Sequence, residues 1–276
     1  MTLLAVKVLL APGFVVLASL AGRRFGVRIG GMFGGLPVVA APILLVYALQ
    51  HGERFAANAS AATLLGLISL MAFVVLYARL ASRWPWWVTL LAGWSTFALL
   101  SFLFSFVHVS AVLALVLMGS TLALAPVLLP RAAMPIKPES FQPLPGWDLP
   151  LRAVSALALV LVLTAVAGRL GPQISGLLAP FPVIASVLAV FTHTQRGRHE
   201  VLALLRGLLL GYAAFGLFCF VLAVALRPLG TALAFALASA GALACQAAVF
   251  WGARALAARS SAKLGVGEPA EASSAS

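Results

Sequence analysis

The feature of this sequence that most constrains its fold is an almost unbroken hydrophobicity. Between Leu3 and Leu256, nearly every window of about 20 residues is apolar enough to cross a hydrocarbon core roughly 30 Å thick. Only 9% of the 276 residues are charged, against about 25% in a soluble domain. The sequence therefore predicts an all-α integral membrane protein without a soluble domain of useful size.

Clusters of charged residues, Pro and Gly divide the chain into nine predicted transmembrane spans. They cover residues 2–22, 29–50, 56–82, 86–106, 108–130, 150–168, 173–194, 201–226 and 229–257. No charge separates the fourth and fifth spans near His108, but about 45 residues rising ~1.5 Å each are too long for one crossing. The first segment resembles a signal peptide. We expect it to be a retained span, because the internal segment 160–168 ends in the same kind of small residues.

The distribution of Lys and Arg predicts the orientation, because positively charged loops stay on the cytoplasmic side. With the N-terminus outside, fourteen basic residues fall on the cytoplasmic side and four fall outside. This bias supports nine spans, with the C-terminus in the cytoplasm. Residues 131–149 then form a cytoplasmic loop, and residues 259–276 a disordered cytoplasmic tail. The basic residues form no run with interleaved aromatics, so nucleic acid is not an expected partner.

The two halves of the sequence align without a gap at an offset of 145 residues. Arg24 aligns with Arg169, Pro37 with Pro182, Gln50 with Gln195 and Gly66 with Gly211. Paired Gly, Pro, Gln and Arg in one register indicate a duplication. The first four-helix repeat covers residues 1–106, the linking transmembrane helix 107–130, and the second four-helix repeat 150–258. Because one extra span joins two four-span units, the units are predicted to be inverted, as in many secondary transporters.

The second and seventh spans carry the densest helix-breaking residues, within 30–37 and 175–182. Proline removes an amide donor and clashes with the preceding turn, so each span is predicted to break near the bilayer midplane. Backbone freed at that depth is tolerated when it is buried in protein or faces an aqueous cavity, where it can bind a solute. The alternative is that Gly and Pro only allow close packing and a structural kink. The candidate substrate-binding residues here are Gly31, Gly34, Gly35, Pro37, Gly176, Pro180 and Pro182.

Four polar residues complete the candidate site. Gln50 and Gln195 are equivalent in the two repeats, and so are Lys7 and Arg152, which lie about one turn into the first helix of each repeat. A pair of cations suits an anionic solute or a lipid phosphate, whereas snorkelling to the membrane interface is the alternative explanation. All acidic residues, including Asp148, fall in predicted loops or the tail. This placement disfavours a mechanism driven by an intramembrane carboxylate.

No enzymatic, metal or cofactor site is predicted. Cys219 and Cys245 lie in apolar spans without a partner at metal-ligand spacing. The loops contain no nucleotide-binding motif, zinc motif or Ser-His-Asp set. An interfacial aromatic belt is predicted from Trp84, Trp86, Trp87 and Trp94 together with Arg83.

The segment 174–182 carries a family resemblance, together with Gln195-Arg196-Gly197 and Leu209-Leu210-Gly211. It resembles the small bacterial inner-membrane proteins called GlpM, which consist of one such unit. The first repeat keeps Gly31, Leu36-Pro37 and Leu64-Leu65-Gly66, but has Gly34-Gly35 where the second has Ala179-Pro180. The resemblance implies a fused, inverted pair of GlpM-like units in a bacterial inner membrane. It implies no reaction and no catalytic residues.

The expected function is that of a secondary transporter or permease for a small anionic or neutral solute, bound between the second and seventh spans. This expectation rests on architecture. The rival is a non-transporting accessory or scaffold protein that supports envelope polysaccharide or lipid synthesis. Membrane lipids and a small solute are the expected partners, and self-association into a homo-oligomer stays open. A transporter predicts a cavity that reaches the broken segments.

Overall fold

The computed structural model describes the backbone of residues 2–130, 146–167 and 172–265. Most of the predicted loop 131–149 lies outside these ranges, and so does the predicted tail beyond residue 265. The described ranges form helices and connecting loops, with no strand among them. The helices are α1 (Thr2–Phe25), α2 (Val27–Gly34), α3 (Ala40–His51), α4 (Glu53–Leu80), α5 (Trp86–Ser105), α6 (Ala111–Leu128), α7 (Asp148–Ala167), α8 (Pro172–Leu178) and α9 (Val183–Gly265).

The long helix α9 is not continuous. Gly197 and Gly230 have non-helical backbone angles and divide it into α9a (183–196), α9b (198–229) and α9c (231–265). Glu53, the first residue of α4, ties the second of these junctions to the other half of the chain. Its Oε1 accepts hydrogen bonds from the Thr231 amide at 3.0 Å and the Thr231 hydroxyl at 3.3 Å.

Membrane insertion follows from the length and hydrophobicity of the helices. In the described part of the chain, α4, α5, α6 and the run Gly176–Ala253 are long and apolar enough to cross a membrane. Large apolar side chains cover their outer surfaces, including Phe102, Val116 and Val127, which are 61%, 56% and 78% exposed. So much exposed apolar surface suits lipid and not water. The chain is therefore an all-α membrane protein.

The predicted division near His108 is confirmed, because α5 and α6 are separate helices. α5 ends at Ser105 and α6 begins at Ala111. The Ser110 side chain accepts a hydrogen bond from the Leu113 amide at 3.3 Å and so caps the start of α6. The fourth and fifth predicted spans thus belong to two helices joined by a short loop.

The predicted breaks in the second and seventh spans are confirmed. α2 ends at Gly34 and α3 begins at Ala40, while α8 ends at Leu178 and α9a begins at Val183. The same backbone hydrogen bonds recur in both breaks, from Leu36 to Phe33 (3.0 Å) and Ala41 to Pro37 (2.7 Å), and from Phe181 to Leu178 (2.9 Å) and Ser186 to Pro182 (2.8 Å). Each donor and acceptor pair lies 145 residues from its counterpart. The two breaks therefore share one local backbone structure.

A second local feature also recurs at this offset. Gly52 joins α3 to α4 with a φ of 86°, and Gly197 joins α9a to α9b with a φ of 78°. Side chains with a Cβ rarely adopt such angles, so glycine is required at both junctions. Each half of the chain thus contains a long helix, a short helix, a break, and two helices joined at a glycine.

The short helix α2 packs against α9b, which belongs to the other half of the chain. Gly31 of α2 and Gly35, the residue that follows α2, face Gly207 and Gly211 of α9b. A Cβ placed on Gly31 would lie 3.1 Å from the Gly207 Cα, and one on Gly35 would lie 2.7 Å from the Gly211 Cα. Small residues four apart allow this close approach of two helix backbones within a membrane.

The other short helix, α8, packs reciprocally against α4 of the first half. A Cβ placed on Gly176 would lie 2.8 Å from the Ala62 Cβ, and one on Gly66 would lie 2.6 Å from the Leu177 carbonyl oxygen. The Thr63 hydroxyl donates to the Gly176 carbonyl oxygen at 3.0 Å. Each short helix is therefore held by a long helix of the opposite half, and the two halves interlock.

Candidate functional site

The two broken segments line one small cavity in the middle of the bundle. Its lining includes Gly34 and Leu36 from the first break, Pro180, Phe181 and Pro182 from the second, and Tyr212 from α9b. The cavity volume is about 30 Å³, which is enough for one or two water molecules. The two breaks are therefore close enough to form a shared site. In this conformation, however, a solute larger than one or two water molecules does not fit between them.

Tyr212 gives this cavity its one unusual polar group. Its side chain is 2% exposed, and its hydroxyl has no hydrogen-bond partner among the described residues. Leaving a buried hydroxyl unpaired costs about 1–3 kcal/mol, so a water molecule or ligand in the cavity is the natural partner. Tyr212 could not be chosen from the sequence, because it aligns with Leu67 in the first repeat.

Trp94 of α5 contacts residues in and next to the second break. Its indole Nε1 donates to the Ser186 hydroxyl at 2.9 Å, and its ring centroid lies 5.8 Å from that of Phe181. The interfacial position of Trp94 stays a prediction, and the structure adds its contact with the second break. The proximity of this residue to the break depends on the packing of α5 against α8 and α9, which no local pattern reveals. Trp84, Trp86 and Trp87 are exposed, as an aromatic belt requires.

The predicted break residues fall into two groups. Gly34, Pro180 and Pro182 line the cavity, and Pro37 lies in the first break, where its carbonyl accepts from the Ala41 amide. In contrast, backbone or Cβ atoms of a neighbouring helix occupy the space beside Gly31, Gly35 and Gly176. Close helix packing explains these three glycines, as the alternative interpretation of the sequence proposed.

Arg152 and Gln195 come together in a buried polar network with Asp148. Asp148 is fully buried and Arg152 is 5% exposed. The Asp148 Oδ1 accepts from the Arg152 Nε at 2.9 Å and from the Gln195 Nε2 at 2.7 Å. Its Oδ2 accepts from an Arg23 guanidinium nitrogen at 2.7 Å. The network ties α1, α7 and α9a together.

The expected loop position of Asp148 is wrong. Asp148 is the first residue of α7, and it lies one turn before Arg152, with which it forms an ion pair. A buried carboxylate requires ionic and hydrogen-bonding partners, and here both oxygens have them. The spacing of four residues between Asp148 and Arg152 could have suggested this pair from the sequence.

The remaining two polar candidates do not join this network in the described part of the chain. Gln50 is exposed near the end of α3. Lys7 lies in α1, at a position whose side chain falls outside the described residues. The structure therefore brings Arg152 to Gln195 and to residues that the sequence did not single out, Arg23 and Asp148.

Contacts gather several arginines at one end of the bundle, here called the basic end. Arg23 pairs with Asp148, Arg79 donates to the Leu128 carbonyl at 3.0 Å, and Arg206 donates to the Pro130 carbonyl. These contacts join the end of α1 to the start of α7, the end of α4 to the end of α6, and Pro130, which follows α6, to α9b. The asymmetric charge distribution in the sequence therefore has a counterpart in the folded chain.

A larger cavity lies at the opposite end, beside the contact between α4 and α8. It has a volume of about 300 Å³, and its lining includes Asn58, Ala62, His108 and Gln173. The Gln173 side chain donates to the Val107 carbonyl at 3.0 Å, and Arg227 donates to the Asn58 side chain at 3.0 Å. Because Ala62 also faces Gly176, this cavity reaches the helix that leads to the second break.

The described residues contain no group of three His, Cys, Asp or Glu side chains that could hold a metal ion. Comparison with protein-family models, curated proteins and solved structures finds no match. The resemblance to the GlpM family therefore stays a prediction from the sequence.

Proposed function

We propose that this protein is a secondary transporter for a small anionic or neutral solute, and that its transport path passes between the two helix breaks. The observation that carries the proposal is the cavity shared by both breaks and by the unpartnered hydroxyl of Tyr212. In secondary transporters built from inverted repeats, discontinuous helices form the substrate site near the bilayer midplane. The small volume of the cavity then corresponds to a conformation that is closed at the centre.

The proposal includes two inverted four-helix repeats joined by α6, with nine membrane crossings in all. It places the N-terminus outside and the C-terminus in the cytoplasm of a bacterial inner membrane, as for a fused pair of GlpM-like units. Three observations support the duplication: the recurring hydrogen bonds of the breaks, the glycine junctions at Gly52 and Gly197, and the reciprocal packing of α2 and α8.

The two ends of the bundle differ in a way that suits alternating access. The cavity beside α8 and α4 holds about 300 Å³, whereas the cavity beside α2 and α9b holds about 30 Å³. Inverted repeats can exchange conformations, which closes one cavity and opens the other around a fixed site. In the proposed topology, the described conformation opens toward the outside.

Cysteine accessibility tests the path directly. In a variant whose two native cysteines are replaced, Leu36→Cys and Phe181→Cys place single thiols at the two breaks. Both are expected to react with a membrane-impermeant maleimide, because a transport cycle exposes the break cavity to water. Val116→Cys is the control, since this exposed position on α6 faces lipid and should not react. If neither break position reacts from either face, the scaffold function is favoured instead.

The solute requires a separate experiment. A metabolite comparison between wild-type and deletion cells would give candidates, whose flux is then measured in proteoliposomes. Tyr212→Phe is expected to lower the flux about tenfold, as for the loss of one hydrogen bond. Tyr77→Phe is the control, because Tyr77 is equally buried but its hydroxyl contacts His193 and does not line the break cavity. Equal flux in wild-type protein and Tyr212→Phe would show that the Tyr212 hydroxyl takes no part in transport.

A further inference from the structure

The small cavity beside α2 and α9b lies at the basic end and is separate from the cavity between the breaks. It lies where α1, α2, α7 and α9 meet, has a volume of about 30 Å³, and is lined by Ser19, Arg23, Arg152, Thr192 and Arg196 among others. The Arg23 side chain is 31% exposed, whereas that of Arg152 is 5% exposed. The buried guanidinium group of Arg152 therefore lines the interior of the cavity, and the partly exposed group of Arg23 lies at its opening to solvent.

Among the described residues, the positive charges of Arg23 and Arg152 are only partly compensated at this cavity. Arg23 and Arg152 share a single carboxylate, Asp148, which lies fully buried. Arg23 and Arg152 are close enough to repel each other. Cations held this close in a poorly solvated region repel each other unless an anion joins them. The electrostatic environment of the cavity thus favours a negatively charged group.

Ser19 supplies an independent observation. Its residue is 8% exposed, its hydroxyl has no hydrogen-bond partner among the described residues, and it lines this cavity. A serine within a helix commonly donates to the carbonyl four residues before it. Ser60, Ser120 and Ser155 do so here. The Ser19 hydroxyl is thus a buried donor beside two cations, and no described residue accepts its hydrogen bond.

We propose that this cavity binds an oxyanion, which accepts hydrogen bonds from the Ser19 hydroxyl and from the guanidinium groups of Arg23 and Arg152. Because the volume is small, one oxygen enters the cavity and the rest of the group lies at the mouth beside Arg23. Phosphate has this chemistry, either as a soluble ion or as the headgroup of an anionic lipid. This is the cavity that is expected to open in the alternating-access cycle, but anion binding in it requires neither the break cavity nor transport.

Ser19→Ala provides a test that leaves the charges in place. Inorganic phosphate is expected to raise the Tm of the wild-type protein in neutral detergent, relative to chloride at equal ionic strength. Ser19→Ala should weaken phosphate binding about tenfold, as for the loss of one hydrogen bond to a charged group. Ser101→Ala is the matched control, since its hydroxyl is also buried and unpartnered but lies away from this cavity.

A second arm distinguishes the lipid source. In nanodiscs, a Tm that is higher in phosphatidylglycerol than in phosphatidylcholine, by a difference lost in Ser19→Ala and kept in Ser101→Ala, identifies the anion as a headgroup. The proposal fails if neither phosphate nor phosphatidylglycerol raises the Tm, or if Ser19→Ala responds as Ser101→Ala does. Neither arm measures flux, so failure here leaves the transport proposal intact. Failed labelling of the breaks equally leaves the oxyanion site intact.

Discussion

At the scale of single residues, a few buried polar groups distinguish this protein from a simple bundle of apolar helices. Asp148 is the centre of one such group, with Arg23, Arg152 and Gln195 around it. Two donors bind one oxygen of the Asp148 carboxylate and a third binds the other oxygen. The negative charge of Asp148 is therefore compensated in a region that water hardly reaches. The network fixes the start of α7 against the ends of α1 and α9a.

Removing the charge of Asp148 should destabilise the protein strongly. Asp148→Asn leaves the Arg152 guanidinium buried without a carboxylate, which costs about 3–5 kcal/mol in the free energy of unfolding. Thermal or denaturant unfolding in detergent measures the change. Glu200→Gln is the control, because it removes the same charge from a half-buried residue of α9b and should change the stability by less than about 0.5 kcal/mol. Similar stabilities for both variants would show that the network contributes little.

At the scale of the helices, the glycines of the short helices serve packing more than they serve a binding surface. Gly31 and Gly35 bring α2 into backbone contact with α9b, and Gly176 does the same for α8 on α4. Such contacts stabilise membrane helices through van der Waals packing, since lipid provides no hydrophobic driving force. The cavity between the breaks lies at the ends of these two closely packed short helices.

A single methyl group should disturb this packing. In Gly35→Ala, the new Cβ would lie 2.7 Å from the Gly211 Cα and from the Leu208 carbonyl oxygen, so α2 must move away from α9b. Overpacking of this kind costs about 1–3 kcal/mol. Unfolding in detergent, followed by tryptophan fluorescence, measures the loss.

Gly119→Ala in α6 is the control for this variant, because its Cβ meets nothing within 4 Å. It should be neutral, or stabilising by up to about 1 kcal/mol through better helix propensity. An equally stable Gly35→Ala would mean that α2 and α9b can separate freely.

At the scale of the whole molecule, the interlocked halves give the bundle two chemically different ends. The basic end contains Arg23, Arg79, Arg152 and Arg206, while the opposite end contains the larger cavity beside α8. Charge asymmetry of this kind sets the orientation of membrane proteins. The proposed oxyanion site and the larger cavity thus lie at opposite ends of the bundle.

The proposed orientation predicts which positions react from which side. In a variant without native cysteines, Asn58→Cys should react with an impermeant maleimide added to intact cells. Arg198→Cys, an exposed position beside Gly197 at the basic end, should react only in inverted membrane vesicles. Reaction of both from the same side would exclude the proposed topology, and reversal of the two would invert it.

The class of protein, the positions of the breaks and the repetition of their local structure could all be predicted from the sequence. Hydropathy over one span decides whether that span enters the membrane, and Pro and Gly break the helix that contains them. These effects act within a single segment, so no knowledge of its neighbours is needed. The breaks predicted near Pro37 and Pro182 were therefore confirmed.

Which of these residues face a cavity and which face another helix depends on how the helices pack together. The Arg23–Asp148 pair spans 125 residues and the Thr63–Gly176 hydrogen bond spans 113, so neither follows from local pattern. The same holds for the burial of Asp148, the contact of Trp94 with the second break, and the unpartnered hydroxyls of Ser19 and Tyr212. A side chain becomes part of a site when distant segments pack around it, and that packing depends on the shape of the whole bundle.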